Sequence, residues 1–408
     1  MPIKENRGSH KLMKEINTRL VFSLIKQYSP ISRITISKQT GLSKSSVSEI
    51  VDSLIEKDII REGGSGDSIG GRRPILLYLN SKGRFSVGIE VGDYGEIRGV
   101  LCDLESNIIR EKRSYCLNQD ELIERIGEII DYLVDDMGNS VLGVGLAVPG
   151  IVDYQSGFIV SAVNPGWANV SLIQELKAKY NFPVYIENAT SAAALGENWF
   201  GAGAEFDTLI YISLGLVVGA AIIINGSLHC SQNRSAGELG HMVITNEKIK
   251  CHCGRYGCIE SLISKPAIYH KLFSAEYTIQ TKPQISPDSI FRWLIDLEKG
   301  AEPEGREFST KQLQEIGITL GTAITNLVNL LGTDLVIIGS ELTASPSFMA
   351  VLQEKIIQEV LPRSGENLVI RKSELGENNV VLGAATLVLQ SAFNVAEANN
   401  GELSVRHI

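Results

Sequence analysis

His241 and the run Cys251-His252-Cys253-Gly254-Arg255-Tyr256-Gly257-Cys258 place three thiols and an imidazole close together in the chain. The spacing is Cys-x-Cys-x4-Cys, with the histidine ten residues upstream. Three thiolates and one imidazole are the donor set of a closed, tetrahedral Zn²⁺ site. Gly254 and Gly257 would let the loop turn back around an ion. Unpaired loop thiols, or a disulfide between Cys251 and Cys258, are the competing explanations. The start of the chain is polar and lacks the apolar core of a secretory signal. A cytoplasmic chain is therefore expected, and there such spacing favours metal over disulfide. Cys102, Cys116 and Cys230 are scattered and read as buried or incidental thiols.

A second group with chemistry to offer is Ser43, Lys44, Ser45, Ser46 and Ser48. Ser43 is a good N-cap, and Val47, Ile50, Val51, Leu54 and Ile55 form the apolar stripe of the helix it would start. Small hydroxyls and a lysine on the first turns can reach base edges and phosphates in a DNA major groove. Glu49, Asp52 and Glu56 must then face away from the phosphates.

Neighbouring elements fit that reading. Leu12, Ile16, Leu20, Phe22, Leu24 and Ile25 mark a helix from about Lys11 to Tyr28. A short helix from Arg33 to Thr40 meets the second across Gly41-Leu42-Ser43, which is a helix-turn-helix arrangement. Ile59–Arg61 and Pro74–Leu79 read as strands flanking a glycine-rich wing, with Arg72 and Arg73 at its base suited to a narrow minor groove. A protein-binding helical hairpin with a flexible linker would look similar. Charge favours DNA: residues 1–80 carry a net +5, against −9 for the whole chain.

The 408 residues suggest two or three domains, and no apolar run is long enough to span a bilayer. Past Ser81, strands and helices alternate. Phe85–Val91, Ile97–Asp103, Val141–Val148, Val184–Glu187, Thr208–Leu214, Val218–Ile224 and Leu335–Ile338 read as strands. Glu121–Met137, Ala189–Trp199 and Ile316–Leu331 read as helices. The polar segment about 275–310 reads as a variable helical or loop insertion. The predicted class is α/β: an N-terminal winged helix-turn-helix (1–80), then a two-lobed actin-like ATPase (ribonuclease-H-like) fold. Its lobes would be 81–200, completed by a C-terminal helix at about 380–397, and 201–379 with the zinc site.

At this point the chain resembles the ROK family (repressors, open reading frames and kinases). It is most similar to the family's winged-helix transcriptional repressors, of the xylose and N-acetylglucosamine repressor type. The resemblance rests on Gly-Gly-Arg-Arg-Pro in the wing, Asn164-Pro165-Gly166-Trp167, Gly237-Glu238-Leu239-Gly240-His241, and the cysteine run through Glu260. It implies that Asn188, Glu238, His241 and Glu260 bond sugar hydroxyls, with Asn164 a further candidate. Carboxylates accept from hydroxyls and amides do both. Alternatively, Glu238 and Glu260 are merely exposed acids.

Set beside the family's kinases, the chain departs at three places. The Asp-x-Gly-Gly-Thr phosphate turn is Glu90-Val91-Gly92-Asp93-Tyr94. The second phosphate loop is Gly215-Leu216-Val217-Val218-Gly219-Ala220-Ala221. The general-base aspartate of Glu-Asn-Asp is Ala189. Alanine cannot take a proton, and loss of a general base costs about 10²–10⁴-fold. No enzyme activity is expected. The resemblance implies a sugar-responsive repressor of carbohydrate-utilisation genes, bound to operator DNA as a homodimer or higher homo-oligomer. A regulator controlled by a partner protein is the alternative, and an active sugar kinase the third.

Overall fold

In a computed structural model, the structure describes residues 8–65, 73–153, 156–162, 166–230, 236–273 and 285–393. Its first elements are α1 (Gly8–Tyr28), β1 (Ile31–Ser32), α2 (Arg33–Thr40), α3 (Lys44–Glu56), β2 (Ile60–Ser65) and β3 (Ile75–Leu79). Local chemistry sets their ends. Ser32 and Ser43 cap α2 and α3 by accepting from the Thr35 and Ser46 amides, both at 3.1 Å. Gly41 closes α2 in the left-handed region (φ 71°). The three strands form an antiparallel sheet in the order β1-β3-β2. Ile25, Ile36, Val47, Val51 and Leu54 of the helices and Leu77 of the sheet are buried. Strand β1 has two residues, too few to leave a periodic signal in sequence.

One arginine ties this head to the body of the chain. Arg84 donates from Nε to the Lys57 carbonyl (2.8 Å) and from Nη1 to the Asn139 carbonyl (2.6 Å). Its Nη2 lies 3.6 Å from Asp58. Lys57 and Asp58 directly follow α3, so one guanidinium joins the end of that helix to the body. Hydrogen bonds from a charged donor contribute roughly 1.5–3 kcal/mol. Arg84→Ala is expected to lower the melting temperature by several degrees and to raise amide exchange at the end of α3. Unchanged exchange there would remove Arg84 from this role.

The body repeats one strand path twice. The first sheet is built from β4 (Phe85–Val91), β5 (Glu96–Asp103), β6 (Ile108–Tyr115), β7 (Val141–Val148), and, further along, Val184–Asn188. Helix α4 (Leu122–Val134) leads into β7. A small antiparallel sheet of β8 (Ile151–Asp153), β9 (Phe158–Ala162) and β10 (Trp167–Ser171) comes next, then α5 (Ile173–Lys179) and the last strand, β11 (Val184–Asn188). The order is β11-β7-β4-β5-β6, an antiparallel meander extended by two parallel strands.

After α6 (Ala189–Phe200) the pattern recurs. The meander is β12 (Leu209–Leu214), β13 (Val218–Ile224) and β14 (Ser227–Leu228). Helices α7 (Glu260–Ile263), α8 (Lys265–Phe273), α9 (Ile290–Lys299) and α10 (Pro303–Leu331) precede β15 (Leu335–Gly339). Helices α11 (Pro346–Glu359) and α12 (Pro362–Gly365) precede β16 (Val369–Lys372), and α13 (Asn379–Phe393) ends the described chain. This sheet runs β14-β13-β12-β15-β16, the same order with the same directions.

Two compact units result. One comprises the described parts of 1–192 and 380–408; the other, those of 193–379. In the first, α13 lies directly on the sheet backbone. A Cβ on Gly145 would stand 1.8 Å from the Ala384 carbonyl oxygen, and one on Gly88 2.1 Å from that of Val381. In the second, Glu197 is fully buried and accepts four hydrogen bonds. They come from the amides of Ala202 (2.9 Å), Leu375 (3.0 Å) and Glu374 (3.3 Å) and from the Ser373 hydroxyl.

The elements differ from the sequence reading in three instructive places. Strand β6 carries no strand signal in the sequence, because charged residues stand on both of its faces at a sheet edge, Arg110 and Lys112 half-buried and Glu111 and Arg113 exposed. Helix α10 starts at Pro303 rather than Ile316, with proline at its first position. The stretch read as an insertion contains α9, whose Ile290, Phe291, Leu294 and Ile295 are buried in the second unit's core. Residues 275–284 of that stretch lie outside the described residues.

Candidate functional site

The cysteine run folds into a tight knuckle. The Cys251 amide donates to the Arg255 carbonyl (2.8 Å) and the Gly254 amide to the Cys251 carbonyl (3.0 Å). Gly254 (φ 87°) and Gly257 (φ 73°) take left-handed conformations that L side chains resist. Val243 bridges Cys258, which draws the segment after His241 alongside the knuckle. Beyond Cys258 the chain enters the core through Ile259 and Ile263, so one edge of the knuckle is anchored.

The donor atoms of His241, Cys251, Cys253 and Cys258 all lie within 4.8 Å of one another. Cys253 Sγ and Cys258 Sγ are 3.7 Å apart, and Cys251 Sγ is 3.7 Å from His241 Nδ1. A tetrahedral ion with metal–sulfur bonds of about 2.3 Å and metal–nitrogen bonds of about 2.0 Å requires separations of about 3.8 and 3.5 Å. The residues therefore fit a metal ion. A disulfide needs sulfurs about 2.05 Å apart, and all six cysteines are free.

The thiols differ in acidity for local reasons. Burial pushes Cys251 up to about 12 and also raises Cys258. Cys253 is exposed, and hydrogen bonding to Arg255, chiefly through its backbone, lowers it to about 7.

Two carboxylates adjoin the cluster. His241 points Nδ1 at the sulfurs and Nε2 toward Glu238 Oε2, at 3.9 Å. With Nδ1 on a metal, Nε2 carries the proton and donates. Glu260 is only 6 % exposed. Its Oε2 accepts from the Val218 amide (2.9 Å), and its Oε1 lies 2.9 Å from His252 Nδ1. The His241 and His252 rings meet edge to face, with centroids 5.1 Å apart. Glu238, His241 and Glu260 thus come together in one unit. Asn188 belongs to the other, where its Oδ1 accepts from the Ser191 amide (2.8 Å) at the start of α6. Asn164 lies outside the described residues. In the sequence His252 is only a spacer between cysteines; nothing in linear spacing marks its pairing with Glu260.

In the two loops that the resemblance sets against phosphate cradles, several backbone groups are paired within the chain. Val218 offers its amide to Glu260, and Gly215 accepts from the Lys265 amide (2.9 Å). In the other loop, Gly92 and Gly95 close a tight turn between β4 and β5. Burial raises the Glu90 carboxyl to about 7, with Arg98 opposite it on β5 partly countering the rise.

On α3, Ser43, Lys44 and Ser45 are exposed while Ser46 and Ser48 are partly buried. Two of the helix's acids, Glu49 and Asp52, are paired within the head. Lys14 holds Glu49 (3.1 Å), and Arg33 holds Asp52 (2.8 Å) and Glu62 (2.8 Å). Their charges are partly offset beside the exposed Lys44. Arg73 is exposed, and Arg72 lies outside the described residues.

Known proteins resemble the chain along most of its length. A model of the ROK family matches residues 86–391. The xylose repressor of Bacillus subtilis is 34 % identical over 92 % of this chain and 96 % of its own length. The transcriptional dual regulator NagC of Escherichia coli is 27 % identical over 95 % of each. Among solved structures, a ROK family transcriptional regulator described as a homologue of the E. coli MLC protein has a TM-score of 0.79 at 26 % identity, covering 94 % of this chain and 97 % of its own. A ROK hexokinase from Thermus thermophilus has a TM-score of 0.64 at 21 % identity, covering 76 % of this chain and 99 % of its own, a likeness of fold alone. Among the described residues, no helix is long and apolar enough to cross a membrane.

Proposed function

The chain belongs to the ROK family, and on that premise we propose that it is a sugar-responsive transcriptional repressor acting in the cytoplasm. One observation carries the reading. The alignment with the xylose repressor spans head and body, whereas the hexokinase covers 76 % of the chain and the family model begins at residue 86, past the head. What this chain adds to a kinase body is the three-helix, three-stranded head.

That head is read as a winged helix-turn-helix. Helix α3 enters the major groove through Ser43, Lys44, Ser45, Ser46 and Ser48, and Arg72 and Arg73 of the wing reach the adjacent minor groove. A homodimer presents two such heads to the half-sites of an operator. In the body, Glu238, His241 and Glu260, which share one unit, bond the hydroxyls of a neutral sugar. His241, Cys251, Cys253 and Cys258 hold a Zn²⁺ ion. Bound there, it supplies no chemistry beyond cross-linking the knuckle and fixing the His241 tautomer, which leaves Nε2–H for a ligand. The body has no kinase activity, because Ala189 stands where a base is needed and both phosphate loops are altered.

A sugar can change operator affinity only by binding the DNA-competent and DNA-incompetent states unequally. The test is fluorescence anisotropy of a duplex from the chain's own genomic neighbourhood, titrated with protein and then with D-xylose, N-acetyl-D-glucosamine and related sugars. Tight binding that weakens steeply with salt is expected. One sugar should then shift the affinity by about 5–150-fold. Indifference to every sugar overturns the sensor. Sugar-dependent ATP turnover above background in a coupled assay overturns the loss of kinase activity.

A further inference from the structure

His252 stands between two of the thiols yet serves Glu260. Its Nδ1 is 2.9 Å from Glu260 Oε1, against 4.0 Å from Cys251 Sγ. Glu260 is otherwise held through Oε2 by the Val218 amide. The carboxylate is therefore fixed at both oxygens, one by backbone and one by a side chain. The His252 ring itself is half exposed and meets the His241 ring at its edge. Glu238, His241, His252 and Glu260 make a row in which carboxylates and imidazoles neighbour one another, all within one unit.

We propose that His252 is a specificity-determining residue of the sugar site. It fixes the rotamer of Glu260 and adds an acceptor next to the His241 donor, a pair that matches adjacent hydroxyls of a neutral monosaccharide. The inference rests on the proposed sugar binding. The physical argument is one of valence. In the tautomer that gives Nδ1–H to Glu260, Nε2 is an acceptor. His241, with Nδ1 committed to the thiol cluster, has Nε2–H as a donor. A hydroxyl pair that accepts from one ring and donates to the other satisfies both. A sugar lacking either hydroxyl, or holding it on the opposite face, leaves a polar group unmatched, and such mismatches discriminate strongly.

A rival assignment makes His241, His252 and Glu260 a second metal site, since their donor atoms also lie within 4.8 Å of one another. It would have to compete for His241, whose Nδ1 faces the Cys251 sulfur. Zinc stoichiometry separates the two.

The experiment is calorimetric titration of the zinc-loaded full chain with D-xylose, D-ribose, D-glucose and N-acetyl-D-glucosamine, for wild type, His252→Ala and His252→Asn. Zinc per chain is measured in each. His252→Ala is expected to weaken the preferred sugar by about 10–100-fold, the range for losing hydrogen bonds around a charged group. His252→Asn keeps an N–H for Glu260 but not the full reach of the ring, and about 5-fold weakening is expected. Both should keep one zinc per chain and show a smaller preference among the four sugars. Affinities within twofold of wild type in both variants overturn the proposal, as does loss of zinc from the folded His252→Asn protein or two zinc ions in the wild type. Should His252→Ala fail to fold, the Asn variant decides by the same criteria. Failure of the wild type to bind any of the four sugars sinks the sugar pocket itself. Binding by the wild type with indifferent variants removes only the role of His252.

Discussion

Serine in place of Cys258 will strip the metal from the knuckle, leaving under about a tenth of a zinc per chain after dialysis where the wild type retains about one. Even a lost outer partner of a metal ligand costs about 10–100-fold in affinity, and a lost ligand costs more. Cys258 is completely buried and joins the knuckle to the core of its unit, so the loss is felt in the fold. A ligand present at a thousand times its dissociation constant contributes about 4 kcal/mol to stability. For a unit of this size that is a fall of roughly 8–16 °C in melting temperature. A strong chelator should reproduce the loss in the wild type and add nothing in the variant. Full zinc occupancy in Cys258→Ser, or an unchanged melt, would show that no metal braces the knuckle through this thiol.

The same site predicts a pH dependence whose sign follows from the thiols. Thiolate is the form that binds. Burial holds Cys251 at about 12 and raises Cys258, while Cys253 sits at about 7. Slightly above pH 7, the metal-free cluster therefore keeps protons on the two buried thiols, and zinc must displace both. Affinity should rise about 100-fold per pH unit there, and fall more steeply below pH 7 as Cys253 also protonates. Zinc titration in weak buffer, with released protons counted, measures this directly.

Glu197→Ala should be the most damaging substitution away from the metal. The carboxylate accepts from three backbone amides and one hydroxyl, and its removal orphans all four. Each buried group left without a partner costs about 1–3 kcal/mol. Allowing for relaxation, a loss on the order of 5 kcal/mol is expected, roughly 10–20 °C in melting temperature. Amide exchange should rise first at Ala202, Glu374 and Leu375. These segments follow α6 and precede α13, where the chain passes between its two units. Glu197→Gln should fall between, since its amide nitrogen cannot accept. A melt within about 2 °C of wild type in Glu197→Ala would show that the four donors find other partners, against a loss of ~5 kcal/mol.

How much was legible beforehand depended on the range of the interaction. The capped helices α2 and α3 are written in Ser32, Gly41 and Ser43, because a cap is a contact of three residues with their own backbone. The meeting of Cys251, Cys253 and Cys258 follows from glycine-permitted turns within eight residues. The buried strands Val141–Val148 and Leu335–Gly339 announce themselves as apolar runs. Strand β6 does not, since an edge strand with one wet face carries charges that resemble a loop. Helix α9 is hidden in a polar stretch that supplies four buried core residues.

Sequence alone thus determined the local turns, the donor set of the cysteine knuckle and the hydroxyl-rich start of α3, because each depends on residue type and near neighbours. Tertiary structure decided which partner each polar group meets. It gave Asp52 to Arg33, Glu260 to His252 and Val218, four donors to Glu197, and the end of α3 to Arg84. Those pairings join residues up to 178 positions apart. Hydrogen bonds act over about 3 Å, so only the folded path of the chain selects among the many donors that composition allows.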